Sequence, residues 1–239
     1  MKNLVILSGA GMSAESGIST FRDAGGLWDK YPVEQVATPE GYARNPELVI
    51  NFYNERRKQL LDVVPNAGHL GVADLERDFN VTVVTQNVDN LHERAGSTHV
   101  IHLHGELTKV CSSRDPYNPH FVKELAPEEY EVNVWATRRA TVRSSARSSC
   151  GLASRCRRLR LPSGMWSRRT FFVIIGTSLN VYPAAGLLNY VPRAAEVYLI
   201  DPKPVDTHVM RPIHVIQKGA SEGVKELKAL LTVTQPPLP

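Results

Sequence analysis

Apolar residues fall along this chain in two rhythms, short unbroken runs and longer stretches at helical spacing. Leu4-Val5-Ile6-Leu7 runs without alternation, as expected of a strand buried on both faces of a parallel sheet, and Phe171 to Ile175 is the most apolar run of the chain. Asn80 to Thr85, Glu196 to Ile200 and the short Ile213 to Ile216 read as further strands. Val100 to Leu107 reads as one in which apolar residues alternate with histidine. Between them, four stretches read as helices: Glu47 to Val63 after Asn45-Pro46, Asn66 to about Glu76, Ala184 to Tyr190 after Pro183, and Ser221 to Leu231 with Ser221 as N-cap. Strands alternating with helices predict an α/β fold, a parallel sheet with helices on both faces.

The first strand runs into Ser8-Gly9-Ala10-Gly11. Gly9 and Gly11 carry no Cβ, so backbone N–H groups there can approach a pyrophosphate closely, with the N-terminus of a following helix aimed at the same charge. The bland reading is a structural turn. Ala14 meets the dinucleotide fingerprint only in its variant form, and Gly25 to Pro39 does not read as a second strand ending in an acid. Thr20 to Trp28 is a Gly-containing loop with two aromatics and Arg22, of a kind that can fold over a bound cofactor. Tyr53 and Arg56 share a helix face and could receive a carboxylate, or be a half-buried Tyr beside a solvated Arg. Gln86, Asn87 and Asp89 follow the second strand at the edge where α/β sheets bind ligands. His104, beside Gly105, is either a hydrogen-bonded structural residue or a general base. His208 and His214 have no metal-ligand company and read as structural or surface residues.

The 239 residues, 42% of them hydrophobic, suffice for one α/β domain or a large domain with a small insertion. No apolar run approaches the ~20 residues that span a bilayer, and the N-terminus does not read as a signal peptide. Cys111, Cys150 and Cys156 do not make a disulfide framework, so a reducing cytoplasm is expected. The net charge of +4 is local: residues 135–170 hold ten Arg and no Lys, Asp or Glu, leaving 18 basic against 24 acidic residues elsewhere.

GAGMSAESGISTFR, QNVDNLH, HLHGEL and GTSLNVYPAAGL, in that order, resemble the sirtuin family of NAD-dependent protein deacylases, over the whole chain except 135–170. The resemblance implies a Rossmann-like part (residues 1–30, 64–110 and 171–239) holding NAD, and a smaller inserted module (about 31–63 and 111–170). Position by position it implies that Gly9, Ala10, Gly11, Phe21 and Arg22 bind the pyrophosphate side. Gln86, Asn87 and Asp89 would hold the nicotinamide and its ribose, and His104 would be the catalytic base. Gly176, Thr177 and Ser178 match the phosphate and adenosine-ribose side. Asp201 stands where the family usually carries Asn, and Gly219 and Ala220 resemble its adenine-edge loop. The implied reaction on an acylated lysine of a protein substrate yields free lysine, nicotinamide and O-acyl-ADP-ribose. Tyr53 and Arg56 match the pair that family members removing succinyl or malonyl groups carry, so acidic acyl groups are expected beside acetyl. The two Cys-x-x-Cys pairs of zinc-holding relatives are missing, so neither a zinc ribbon nor zinc is expected.

Residues 135–170 lack the Val-Trp-Phe-Gly-Glu strand expected there to receive the peptide. Read one base out of phase, codons for Cys150 to Ser154 can encode Trp-Phe-Gly-Glu, and suitable synonymous codons extend the agreement from Val134 to Thr170, rejoining Phe171 in phase. The segment therefore reads as frame-shifted, in the gene or in its sequencing, and as exposed and poorly ordered if present. The alternatives are a catalytically silent NAD or ADP-ribose binder, and a nucleic-acid arm, against which stands the lack of interleaved stacking aromatics.

Overall fold

The computed structural model describes residues 1–20, 31–112, 120, 122–132, 142–144, 170–177, 179, 184–205 and 211–233. β1 (Lys2–Ser8) passes through Gly9 into the short α1 (Ala10–Ala14). Three helices follow: α2 (Val33–Val36), α3 (Pro39–Arg44) and α4 (Pro46–Asp62). Each of the last two opens on a proline whose missing N–H costs nothing at a first turn, behind a capping side chain. Thr38 accepts from the Gly41 N–H at 3.0 Å and Asn45 from the Leu48 N–H at 3.1 Å. α5 (Ala67–Asp74) starts with a reciprocal cap, Asn66 accepting from the Gly68 and His69 N–H groups while the His69 ring accepts from the Asn66 N–H.

The chain continues through β2 (Phe79–Thr85), α6 (Leu91–Arg94), β3 (Val100–His102), β4 (Lys109–Ser112), β5 (Val122–Glu124) and β6 (Val142–Ser144). It ends with β7 (Thr170–Ile175), α7 (Ala184–Leu187), β8 (Glu196–Ile200), β9 (His214–Ile216) and α8 (Ala220–Val233). Among the described residues six strands form a parallel sheet in the order β3-β2-β1-β7-β8-β9, so the chain winds outward from β1 in one direction and then from β7 in the other. The reversal falls between β1 and β7 and sets the turns after those two strands side by side at the carboxyl edge, where open α/β sheets bind ligands.

Alternate residues of β1 serve opposite faces, which is why its sequence is apolar throughout. Leu4 and Ile6 join the core under α5 and α8, while Val5 and Leu7 join the one beneath Leu187, Leu188 and Val191. A third core gathers Val49, Ile50, Phe52 and Tyr53 of α4 with Val110, Leu125 and Tyr130 beside the antiparallel sheet β5-β4-β6.

Three expectations are corrected. The strand expected from Val100 to Leu107 stops at His102. The Leu103 N–H still reaches the Thr85 carbonyl, but Gly105 has φ +81°, and the Leu107 N–H bonds to Val88 O away from the sheet. Ser221 is not an N-cap: α8 starts one residue earlier, the Gly219 carbonyl accepts from the Gly223 N–H, and the Ser221 N–H is taken by the Glu15 carboxylate. The arginine-rich segment contains a strand, β6, paired with β4. Apart from Thr170, the first residue of β7, the rest of that segment lies outside the described residues, as does its expected exposure and disorder. Among the described residues no helix is long and apolar enough to cross a membrane.

Candidate active site at the carboxyl edge of the sheet

Gly9, Gly11 and Gly176 bring the turns after β1 and β7 into backbone contact. A Cβ on Gly9 would lie 2.7 Å from Thr177 Cβ, one on Gly11 2.7 Å from Gly176 Cα, and one on Gly176 2.5 Å from Gly11 C. Gly176 also has φ +60°, which a side chain opposes. The N–H groups of Gly9 and Gly11 donate to Ile175 O and Gly176 O, each at 2.9 Å, so they hold the turns together instead of pointing at a ligand. This corrects the expectation that they approach a pyrophosphate. Ala10 between them is the first helical residue, whose N–H has no acceptor within its helix. The second turn is tied to the β2 loop, Thr177 Oγ1 donating to Gln86 Oε1 at 2.7 Å. Phe21, Arg22 and Ser178 lie outside the described residues.

The β2 loop is organised by Ser13, which the motif reading passed over as a helix residue. Asn87 Nδ2 donates to Gly9 O and to Ser13 Oγ, each at 3.0 Å, and Ser13 Oγ donates to Asp89 Oδ2 at 3.1 Å. Both amide protons of Asn87 are thereby spent, so Oδ1 is what its side chain can offer a ligand. Asp89 also accepts the Leu91 N–H on Oδ1 at 3.2 Å. Burial raises its pKa, against the Leu91 and Ser13 hydrogen bonds and the charges of His102 and Arg56. The pocket therefore presents acceptors, suited to an amide NH2 or a hydroxyl.

His104 stands just past β3. Its Nδ1 is buried without a hydrogen-bond partner, and burial lowers its pKa, so at neutral pH the ring is uncharged and able to take a proton. Two residues back, His102 bonds through Nδ1 to Asn87 O at 2.9 Å and through Nε2 to Glu93 at 2.7 Å. Glu93, His102 and Glu106 bring a ring nitrogen and two carboxylates within 4.8 Å of one another. The ion pairs His102–Glu93 and Glu106–Lys109 account for that cluster without an ion. Beneath the loop, His92 Nε2 lies 3.0 Å from Ser8 Oγ, whose hydroxyl donates to Thr85 Oγ1. Thr85 Oγ1 in turn accepts the Asn87 N–H.

On α4, Tyr53 is buried and Arg56 half-buried. Burial lowers the Arg56 pKa against the pull of Tyr53 and Asp89, which places this pair within electrostatic reach of the Asn87–Asp89 loop. Its neighbour Arg57 is the fully buried one, donating to Leu107 O at 2.7 Å and Asn54 Oδ1 at 2.9 Å. Across the edge, Asp201 is buried with Oδ1 accepting the Lys203 N–H, Gly219 packs on Glu15, and Ala220 is buried against Gly68. His214 stacks on Tyr198, in keeping with a structural role, and Cys111 is a buried free thiol.

A doubly wound parallel sheet whose strand order reverses between two glycine-joined turns defines an α/β protein of the dinucleotide-binding class. The chain belongs to the Sir2 family, whose profile matches residues 9–134. It is 70% identical over 246 aligned positions to an NAD-dependent protein deacylase of Bacteroides thetaiotaomicron, covering 97% of this chain and 98% of that protein. To an NAD-dependent protein deacylase of Helicobacter pylori it is 42% identical over 236 positions, covering 95% and 96%. Among solved structures it resembles a Sir2 homologue in complex with NAD, with TM-score 0.76 and 32% identity over 97% of this chain and 90% of that one. An ADP-ribose complex of a Sir2 homologue variant matches with TM-score 0.76 and 31% identity over 98% and 95%.

Proposed function

We propose that this chain is an NAD-dependent protein-lysine deacylase that accepts acetyl and also succinyl and malonyl groups. The observation that carries the reading is the juxtaposition, at one sheet edge, of the acceptor pocket of Asn87 and Asp89 with an uncharged, half-buried His104. The residues fit a dinucleotide: the oxygens of Asn87 and Asp89 suit a carboxamide NH2, and His104 keeps a buried nitrogen unpartnered nearby among the described residues. NAD, when bound, would supply an electrophilic ribose carbon for an acyl oxygen, with nicotinamide as the leaving group. Asn87 and Asp89 orient the carboxamide through their oxygens, a positioning contribution. His104 takes a proton from a ribose hydroxyl, which its low pKa permits at neutral pH. Tyr53 and Arg56 receive the distal carboxylate of an acidic acyl chain, Arg56 as a cation whose desolvation strengthens such a pair.

Nicotinamide release from NAD with acetyl-lysine and succinyl-lysine peptides tests the reading. His104→Ala is expected to lower turnover on both by about 100-fold or more, in keeping with general-base catalysis. Arg56→Met is expected to lower kcat/KM for the succinyl peptide about tenfold or more while leaving acetyl within about threefold. Equal losses on both peptides would remove Arg56 from the acyl pocket. One observation favours the second reading, a silent NAD or ADP-ribose binder: the Val-Trp-Phe-Gly-Glu motif expected of a peptide-receiving strand does not occur in residues 135–170 as they stand. NAD binding without nicotinamide release would select it. Salt-sensitive DNA binding would instead point to the arginine-rich segment as a nucleic-acid arm.

A further inference from the structure

Asn87 is clamped on several sides. Its N–H donates to Thr85 Oγ1, its amide protons to Gly9 O and Ser13 Oγ, and its carbonyl accepts from His102. Of these partners only His102 can change its proton count near neutral pH. Its ring is 5% exposed and lies between two acceptors, the Asn87 carbonyl and the Glu93 carboxylate, so both nitrogens must carry hydrogen.

We propose that His102 is a positioning residue which, as an imidazolium paired with Glu93, locks the Asn87 carbonyl and so aims the Asn87 and Asp89 oxygens at the nicotinamide carboxamide. The proposal rests on the deacylase reading above and adds to it a proton-dependent grip on the nicotinamide end of NAD. Burial alone would lower the His102 pKa, but Glu93, the Asn87 carbonyl and Glu106 outweigh it and hold it above the usual value. The other charged or titratable groups around it are Asp89 in the β2 loop and His92 on α6, with Glu106 itself ion-paired to Lys109. Once His102 loses a proton it has one N–H for two acceptors. The carboxylate is the stronger acceptor, so the Asn87 carbonyl is released.

Calorimetric titration of NAD and of ADP-ribose from pH 6 to pH 9, without acyl peptide so that NAD is not turned over, separates this role from a structural one, because ADP-ribose lacks the nicotinamide. In the wild type, NAD affinity should fall about fivefold to tenfold toward the alkaline end, the worth of one hydrogen bond, while ADP-ribose affinity stays level. His102→Ala should bind NAD weakly throughout and ADP-ribose normally. His102→Asn, which keeps a donor for the Asn87 carbonyl without titrating, should restore NAD affinity and flatten its pH profile. Glu93→Gln should flatten it too, since a glutamine NH2 can donate to Nε2 while Nδ1–H stays on Asn87. Equal weakening of NAD and ADP-ribose by His102→Ala, or a Glu93→Gln profile parallel to the wild type, overturns the His102 assignment alone. A wild-type chain that binds neither ligand overturns the deacylase reading, and this assignment with it.

Discussion

His69 and His92 meet edge to face with ring centroids 4.9 Å apart, and His69 Nε2 and His92 Nδ1 are each buried without a hydrogen-bond partner among the described residues. Burial pulls His69 down to about 4 from 6.5, against Glu15 and Glu93, and pulls His92 well below its usual value. A histidine whose folded pKa is depressed stabilises the fold fully above pH 6.5, and that contribution is lost as pH falls from there toward 4. For His69 the shift corresponds to about 3 kcal/mol. Urea unfolding at pH 7.5 and pH 4.5 should show a loss larger than this, because His92 adds its own. His69→Gln should about halve it, because glutamine at this capping position still reaches the Asn66 N–H and does not titrate, while His92 still does. An unchanged pH dependence in the variant would remove His69 as a source. The adjacent arginines of α4 separate in the opposite sense. Arg57→Ala strands the Leu107 carbonyl and Asn54 in the interior and should cost about 3 kcal/mol or more in urea unfolding, whereas Arg56→Met should leave stability within about 1 kcal/mol.

Elements were legible where local chemistry decides them. The unbroken apolar runs became β1, β7 and β8, and Asn45-Pro46 opened α4 as expected, because two-faced burial and capping act within a few residues. The carbonyls that receive the Gly9 and Gly11 N–H groups belong to the last residue of β7 and the turn after it, some 165 positions away, so nothing nearby in sequence announces that these glycines join two turns. Ser13 as the hub of Asn87 and Asp89, and His102 as the partner of Asn87, were hidden for the same reason: each bond crosses from one strand end to another. The cap of α8 shows the point in a testable form. Ser221→Ala should change stability by less than about 0.5 kcal/mol, whereas Glu15→Ala, which frees the Ser221 N–H, should cost about 0.5–1 kcal/mol in thermal or urea unfolding. The reverse ranking would return the cap to Ser221. Gly176→Ala, which drives a Cβ into the backbone of Gly11 and Met12 at 2.5 Å, should destabilise by about 3 kcal/mol or more and weaken NAD binding together.

At the scale of the whole molecule, residues 135–170 carry the positive charge of an otherwise acidic chain, and the match to the Sir2 profile ends at residue 134. Within that stretch Val142–Ser144 still pairs with Val110–Ser112, which backbone hydrogen bonds permit for almost any sequence. Strand pairing alone does not supply a peptide-receiving edge with the side chains that grip an acyl-lysine. Among the described residues, the carboxyl edge of the parallel sheet is formed by β1, β2, β3, β7 and β8, of which only Thr170 of β7 falls within the segment. Two versions of the chain should therefore part company, one as it stands and one with residues 134–170 replaced by the out-of-phase reading containing Val-Val-Trp-Phe-Gly-Glu. Both are expected to bind ADP-ribose within about threefold of each other, while nicotinamide release with an acetyl-lysine peptide should be about 100-fold or more faster in the second, since positioning of the second substrate is what it regains. Peptide mapping of the protein made from its own gene then tells which version the cell produces. Equal turnover by the two would mean that the arginine-rich segment seats the substrate by itself, and the frame-shift reading would be withdrawn.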